Sequence, residues 1–399
     1  MTAKPLIHHY VLKEDNLVFL KRNKKTLYST VDFVYLDPPV VEEVKGNMKR
    51  QLERWENALR ARLEAVLPLL KPTGVVVASV KDSELPRFRL LCDNIFKWSN
   101  FIGMITVDTG NVTNNARLLS ATHEYLLVYA ADLEQLMKAG TKWRLPREGL
   151  EALRRQEKHL RTVHKDDYDA VTAGLKTWLA SQNLPRRLKQ FYNADSKGLY
   201  TYADLSAPKN GLFYEVVNPN TGNPVAVPSR GWGVKPETFQ SLVDNDQIIW
   251  GTNDTNQPLK KFYLKDEPDQ VPRTVMNWSS RAPGKLLDRI LGAQHPKISE
   301  PKDLDFMTSL LQLMTSEDAV ILDLYAGSGT TGHAVLDLNY RTGSTRQVFL
   351  VNTNESNMYN NLLLPRMQAV VSGRWADRQH RPRKSVLHTS FPPDSSGKP

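Results

Sequence analysis

Two short segments of the sequence combine an acidic side chain with residues that restrict or free the backbone. The first is Asp37-Pro38-Pro39, which follows a compact apolar run at 31–36. Because two prolines fix the backbone, this turn can direct a carboxylate and one or two peptide carbonyls at a single point. A point that accepts hydrogen bonds from several sides suits an amino group. A strand terminator with an exposed aspartate is the alternative interpretation of these three residues.

The second segment is a glycine-rich turn in which Gly327, Gly329 and Gly332 have the GxGxxG spacing of nucleotide-binding turns. Glycines let a ligand approach the backbone, and the helix that follows offers free N–H groups. Asp323 ends the preceding strand, where its carboxylate can hold a ribose or an amine but would repel a phosphate. A charged, amine-bearing ligand without phosphate therefore fits better than NAD. The alternative is a glycine-rich turn that binds no ligand.

Alternating strand and helix patterns position both segments. The predicted strands are 31–36, 75–80, 101–107, 125–129, 320–324 and 347–351. The predicted helices are 15–27, 42–70, 85–96, 304–314, a segment after residue 332, and 357–371. This order predicts an α/β fold with parallel pairing, and places the Asp-Pro-Pro turn at the carboxyl end of a strand, where such folds bind their ligands.

Composition divides the chain into four parts. Residues 139–280 are first charged and then rich in Asn, Pro, Gly and aromatic residues, with strand-like pieces such as 213–217. This predicts a loop-rich insert between two parts of the α/β core, 1–138 and 281–373. The remaining residues, 374–399, are basic and are predicted to be disordered.

Charge and cysteine content exclude several classes of protein. The net charge of +10, from 53 Lys and Arg against 43 Asp and Glu, favours an anionic partner, with nucleic acid first and an acidic membrane surface second. The single cysteine, Cys92, excludes an intrachain disulfide and a cysteine zinc site. No apolar run approaches the roughly 18 residues of a membrane span, and no apolar signal core follows the first residues. The expectation is a soluble, cytoplasmic protein without a metal.

Taken together, the two segments resemble the motifs of the β-class DNA adenine-N6 methyltransferases, above all the modification subunits of type III restriction-modification systems. In that class the Asp-Pro-Pro motif precedes the target-recognition insert, and the motif for S-adenosylmethionine (SAM) follows it, as the two segments do here. Five further segments resemble the family in the same order: 14–17, 69–75, 122–129, 230–232 and 330–335.

The resemblance implies a Rossmann-like SAM-dependent methyltransferase core with residues 139–280 as the target-recognition domain. It implies duplex DNA as substrate, SAM as methyl donor, and a target adenine that is flipped out of the helix and methylated at N6 without a covalent intermediate. The implied catalytic residues are Asp37, Pro38, Pro39 and Val40. The implied SAM-binding residues are Asp323, Tyr325, Ala326, Gly327, Ser328 and Gly329, with Glu355 for the ribose.

Three positions depart from the family pattern. Val40 stands where an aromatic residue stacks on the flipped base, Glu300 replaces the lysine of a Lys-Pro pair, and Asn352 stands where an acid holds the ribose. Since base–aromatic stacking is worth about 1–3 kcal/mol, the alternative function is a catalytically degenerate, DNA-binding subunit or regulator with the same fold. Its partner would be an active methyltransferase or a restriction subunit, and a homodimer is a further expectation.

Two other readings of the sequence stay open. Cytosine N4 is an alternative target, because its methylation uses similar chemistry on a related motif. A nicotinamide-dependent oxidoreductase would use the glycine turn, but it leaves Asp37-Pro38-Pro39 without a role.

Overall fold

The structure is a computed structural model. It describes residues 6–41, 48–109, 118–120, 122–145, 147, 149–251, 253, 255–266, 269–277, 281–292, 295, 301–353, 357–373 and 385–391. The chain divides into two compact units, one of residues 1–143 with 272–399 and one of residues 144–271. The insert predicted at 139–280 extends beyond the second unit at both ends.

Thirteen strands and eleven α-helices are assigned within the described residues. The strands are β1 (Ile7–Lys13), β2 (Val31–Leu36), β3 (Leu70–Val80), β4 (Phe101–Asp108), β5 (His123–Ala130), β6 (Asn193–Asp195), β7 (Gly198–Ala203), β8 (Ile248–Ile249), β9 (Leu259–Tyr263), β10 (Val275–Asn277), β11 (Val320–Asp323), β12 (Gln347–Asn352) and β13 (Ser385–His388). The helices are α1 (Asn16–Arg22), α2 (Met48–Val66), α3 (Leu85–Cys92), α4 (Leu133–Lys138), α5 (Leu150–His164), α6 (Tyr168–Ser181), α7 (Pro236–Asp244), α8 (Arg281–Leu291), α9 (Leu304–Met314), α10 (Thr330–Thr342) and α11 (Leu364–Ser372).

The first unit is built on a nine-stranded sheet with the spatial order β10-β4-β5-β3-β2-β11-β12-β1-β13. Pairing is parallel from β3 through β2, β11, β12 and β1 to β13. The expected parallel pairing is wrong for β5, which runs antiparallel to both β3 and β4. An apolar run that is buried on both faces has the same pattern in either direction, so the sequence did not reveal this reversal.

The central parallel strands set the position of the site. Tyr35 of β2 pairs with Asp323 of β11, and Asp323 pairs with Leu350 of β12. The carboxyl ends of β2, β11 and β12 therefore lie side by side at one edge of the sheet. Open α/β sheets bind their ligands at this edge.

Close packing explains a glycine in the first turn of α10. A Cβ atom on Gly332 would lie 2.5 Å from Cδ1 of Leu350 and 2.8 Å from Cε of Met367. Gly329, just before the helix, has a φ of +81°, which glycine adopts without strain. These glycines let α10 begin directly against the sheet.

Two strands at one end of the nine-stranded sheet, β1 and β13, were absent from the sequence prediction. β1 pairs with β12, and β13 pairs with β1. The expectation of disorder across 374–399 therefore does not hold for Ser385–His388, whose strand is backed by Tyr10 stacked on the His388 ring at a centroid distance of 5.0 Å. The basic residues at 374–384 and 392–399 lie outside the described part of the chain.

The second unit contains a four-stranded antiparallel sheet with the order β6-β7-β9-β8. Helices α5 and α6 contribute Leu153, Val171 and Leu175 to its main apolar core. The strand-like piece at 213–217 forms no regular strand, and Val217 makes only an isolated bridge to Pro224. Among the helices of both units that the structure describes, none has the length and apolar character needed to span a membrane.

Candidate functional site

Two cavities open at the carboxyl ends of β2, β11 and β12. The larger has a volume of about 560 Å³. Both cavities have Asp37, Tyr325 and Gly327 in their walls. The structure thus brings the Asp-Pro-Pro turn and the glycine turn, nearly 300 residues apart in the sequence, to one place.

Most residues expected in the cofactor pocket line the smaller cavity. The lining residues include Asp323, Tyr325, Ala326, Gly327 and Ser328. Gly329 instead caps the amino end of α10. Glu355, proposed for the ribose, lies outside the described residues, as does Glu300.

Asp323 is a buried carboxyl group at the end of β11. Its side chain accepts hydrogen bonds from the Tyr325 N–H, at 3.1 Å, and from the Thr331 hydroxyl. Burial raises the pKa of Asp323 to about 7, these two hydrogen bonds oppose the rise, and the charge of Asp37 adds to it. The site therefore holds an acid that is partly protonated near neutral pH.

This pKa predicts that Asp323 reduces stability at neutral and alkaline pH. The unfolded chain releases this proton near pH 3.8 and the folded chain near pH 7, so the free energy of unfolding falls as pH rises through that window. The full difference corresponds to about 4 kcal/mol. We expect Asp323→Asn, which keeps an acceptor oxygen, to unfold at higher urea concentration than the wild type at pH 8, with no gain near pH 4.

Asp318 is the matched control. It is exposed and its pKa is lowered, so its replacement should change the stability at pH 8 in the opposite direction. Asp318→Asn removes a carboxylate that stabilises the folded chain at pH 8, so its urea midpoint falls slightly. Equal midpoints for wild type and Asp323→Asn at pH 8 would contradict the burial argument.

Asn352 ends β12 beside the glycine turn. Its side-chain oxygen accepts a hydrogen bond from the Gly327 N–H at 3.4 Å, and the residue lies in the wall of the larger cavity. The amide thus occupies the strand end where the family resemblance implied an acid. It can accept a hydrogen bond from a ribose hydroxyl or donate one to it.

The Asp-Pro-Pro turn contributes to the cavities unevenly. Asp37 and Pro39 line the larger cavity, with Pro38 between them in the chain. Val40 is 47 % exposed and is not among the residues that line either cavity. The position that should present a stacking face therefore presents none.

A lysine that the sequence analysis overlooked connects Asp37 to a second carboxylate. Lys302 Nζ lies 2.6 Å from Glu124 Oε2 and 3.4 Å from Asp37 Oδ2. Ser79 donates to the same Glu124 oxygen at 2.9 Å. The family pattern has a lysine at position 300, where this chain has Glu300. Lys302 is only two positions later, and this proximity was the signal in the sequence that could have identified it.

The charges around Asp37 act in opposite directions. Although 36 % of its side chain is accessible, loss of hydration raises the pKa of Asp37. The Lys302 ammonium opposes this rise, and the Glu124 carboxylate adds to it. The same two carboxylates raise the pKa of Lys302 against the effect of its own burial. One ammonium thus balances two carboxylates.

The amino end of α1 and one face of α2 form the far wall of the larger cavity. Arg62 donates to Asp15 Oδ2 at 2.8 Å and also to the side-chain oxygen of Asn16. Asn16 in turn donates to the Leu324 carbonyl at 2.8 Å. The segment 14–17, which the sequence analysis used only as a resemblance, thus lies directly against the glycine turn.

A buried arginine supports the glycine turn from behind. Arg366 Nη1 donates to the carbonyl and the hydroxyl of Ser328, both at 3.1 Å. Burial lowers the pKa of Arg366 to about 9. The arginine is a structural support of the turn rather than a part of the cavity wall.

The sheet order and the glycine turn define a Rossmann-like methyltransferase core, as the sequence predicted. The chain belongs to the DNA methylase family, whose model matches residues 31–356. This match confirms the family resemblance that the two motifs indicated.

The sequence identity to individual relatives is low. The chain is 24 % identical over 395 residues to the Mod subunit of the type III restriction-modification enzyme EcoP15I of Escherichia coli, covering 87 % of this chain and 58 % of that one. It is 26 % identical over 366 residues to the type II methyltransferase M.KpnI of Klebsiella pneumoniae, covering 85 % and 79 %. The chain thus spans little more than half the length of the EcoP15I subunit. The solved complex of M1.HpyAVI with SAM covers 91 % of this chain and 99 % of its own, at 12 % identity and a TM-score of 0.41.

Proposed function

We propose that this protein transfers a methyl group from SAM to the N6 amino group of adenine in duplex DNA. The observation that carries the proposal is Asp37 beside the glycine turn, in the wall of both cavities. Membership of the DNA methylase family supports the reaction class. Its similarity to a type III Mod subunit and to a type II methyltransferase supports DNA modification.

The donor groups of the larger cavity suit SAM, which carries a sulfonium, an ammonium and a ribose. Asp15 and Asn352 line it, with buried Asp323 in the adjoining cavity. A volume of about 560 Å³ is in the range of sites for ligands of this size. When bound, SAM would supply an electrophilic methyl group. Asn352 and the Gly327 backbone would hold the nucleoside part, with Glu355 as a further ribose ligand.

Asp37 would bind the reacting amino group. The ionised carboxylate accepts a stronger hydrogen bond from an N–H than the neutral carboxyl group does, and Lys302 favours the ionised form. An amino group held in this way keeps electron density on its nitrogen, which is what attack on a methyl carbon requires. Positioning and electrostatics then supply catalysis, with the Pro38 carbonyl as a second acceptor.

The proposed partners follow from the reaction. Duplex DNA agrees with the net charge of +10. The second unit, residues 144–271, would recognise the target sequence. A second copy of this chain, a partner methyltransferase or a restriction subunit would complete the assembly, which acts in the cytoplasm.

Transfer of tritium from labelled SAM to plasmid DNA grown without adenine methylation tests the proposal. We expect labelled DNA whose hydrolysate contains N6-methyladenine. N4-methylcytosine in its place would move the target to cytosine. If the protein binds DNA but transfers no methyl group at every pH tested between about 5 and 9, the result would instead support the catalytically degenerate subunit.

A further inference from the structure

The proposed reaction leaves one requirement unmet by the Asp-Pro-Pro turn. A base with its amino group on Asp37 needs a flat apolar surface against its ring, and stacking on an aromatic side chain supplies about 1–3 kcal/mol. Val40 has no such surface, is 47 % exposed, and is not among the residues that line either cavity. Some other side chain must cover the base if the reaction is to proceed efficiently.

Two aromatic residues lie in the described wall of the larger cavity, Trp55 and Tyr325. Tyr325 belongs to the glycine turn, and burial raises the pKa of its hydroxyl. It is therefore part of the surface proposed for SAM. Trp55 belongs to α2, on the side of the cavity that holds Pro39.

Trp55 is attached to the Asp-Pro-Pro turn itself. Its indole Nε1 donates a hydrogen bond to the Pro39 carbonyl at 2.8 Å. Pro39 directly precedes Val40, so the indole is joined to the residue next to the one that lacks an aromatic ring. The single donor of the indole is used in this bond, which orients the ring, and stacking on a base would need only the π face of the ring.

The rest of α2 holds Trp55 in place. Leu59 and Leu63 follow it at spacings of four and are buried in the core of the first unit. The ring of Trp55 also packs against buried Phe88 of α3, with a centroid distance of 5.8 Å and an interplanar angle of 58°. A ring fixed by a hydrogen bond and by core packing loses little entropy when a base stacks on it.

The geometry points to Trp55 as the aromatic wall of the target-base pocket, in the place of the aromatic residue that the motif lacks at position 40. This inference rests on the proposed function. It makes Val40 a substitution for which the fold compensates, rather than a defect that abolishes catalysis.

Fluorescence of 2-aminopurine tests the contact without a methylation assay. The probe is placed in a mismatch of a DNA duplex, where rotation out of the helix costs least. We expect bound wild type to quench the rotated probe through stacking on the indole. Trp55→Ala should give a several-fold brighter complex, Trp55→Phe should remain quenched, and Trp98→Ala, at an indole 75 % exposed, should match the wild type.

Transfer rates provide the second measurement. Trp55→Ala should lower kcat by about 5- to 150-fold, as loss of 1–3 kcal/mol implies, with little change in the KM for SAM. Val40→Tyr should restore most of this loss in the Trp55→Ala background and change the wild type by less than about 3-fold.

Two results would overturn the inference. One is equal brightness of the wild-type and Trp55→Ala complexes. The other is a large gain from Val40→Tyr in the wild type without rescue of Trp55→Ala. If the wild type transfers no methyl group at all, the proposed function fails, whereas the difference in probe brightness still decides whether Trp55 contacts the base.

Discussion

Replacement of Asp37 by alanine should lower methyl transfer by about 100-fold or more while leaving SAM binding within about 3-fold of the wild type. The magnitude follows from the loss of a preorganised hydrogen-bonding group aimed at the reacting atom. SAM binding should persist because the glycine turn, Asn352 and Asp15 are unchanged. Tritium transfer measures the first quantity, and calorimetric titration with SAM measures the second.

Asp82 is the matched control for this variant. It follows β3, the neighbour of β2 in the sheet, and its side chain is 55 % exposed. Asp82 lines neither of the two cavities, so Asp82→Ala should transfer at the wild-type rate. Full activity of Asp37→Ala would remove the central residue of the proposed mechanism. A parallel loss in Asp82→Ala would show that the rate reports general damage to the sheet edge.

Replacement of Lys302 by methionine should move the acidic side of the pH–rate profile to higher pH. Transfer falls as pH decreases through the pKa of Asp37, because the protonated carboxyl group accepts a weaker hydrogen bond from the amino group than the carboxylate does. Lys302 lowers that pKa, whereas burial and Glu124 raise it. Without the ammonium, a hydrogen bond from Ser79 still lowers the pKa, but burial and Glu124 meet less opposition. Each pH unit of displacement corresponds to about 1.4 kcal/mol. Rates measured between about pH 5 and pH 9 show the displacement.

Two further variants separate this electrostatic role from packing. Lys302→Arg keeps the positive charge, so its acidic limb should stay close to that of the wild type. Lys302→Met combined with Glu124→Gln removes one charge of each sign, so the acidic side of its pH–rate profile should return part of the way to that of the wild type. The double variant also avoids leaving two buried carboxylates without a compensating charge. If the acidic side of the Lys302→Met profile lies at the same pH as that of the wild type, Lys302 does not control the ionisation of Asp37.

Local signals were sufficient for the elements that carry the two motifs. β2 and α9 have the predicted bounds, and β11 and β12 lie within one residue of theirs. Apolar runs that stop at Pro38 or at a glycine turn mark strand ends through backbone chemistry, which the sequence displays directly. For the same reason Asp37 and Asp323 could be placed at strand ends before the fold was known.

Other elements had no local signal. β13 is the edge strand at one end of the sheet and β1 is its neighbour, and neither has a sharp apolar pattern. Both are stabilised by pairing across more than 300 residues of sequence. The antiparallel direction of β5 depends on which strands surround it. These features follow from strand order and register, which hydrophobic periodicity does not encode.

The sequence by itself determined the family, the order of the two motifs and the identity of the carboxylates at the strand ends. Only the tertiary structure decided what surrounds them. It placed the ammonium of Lys302 between Asp37 and Glu124, and it joined Trp55 to Pro39. The physical reason is that motif chemistry resides in neighbouring residues, whereas the charge balance and the walls of a pocket come from residues that the sheet order brings together from distant parts of the chain.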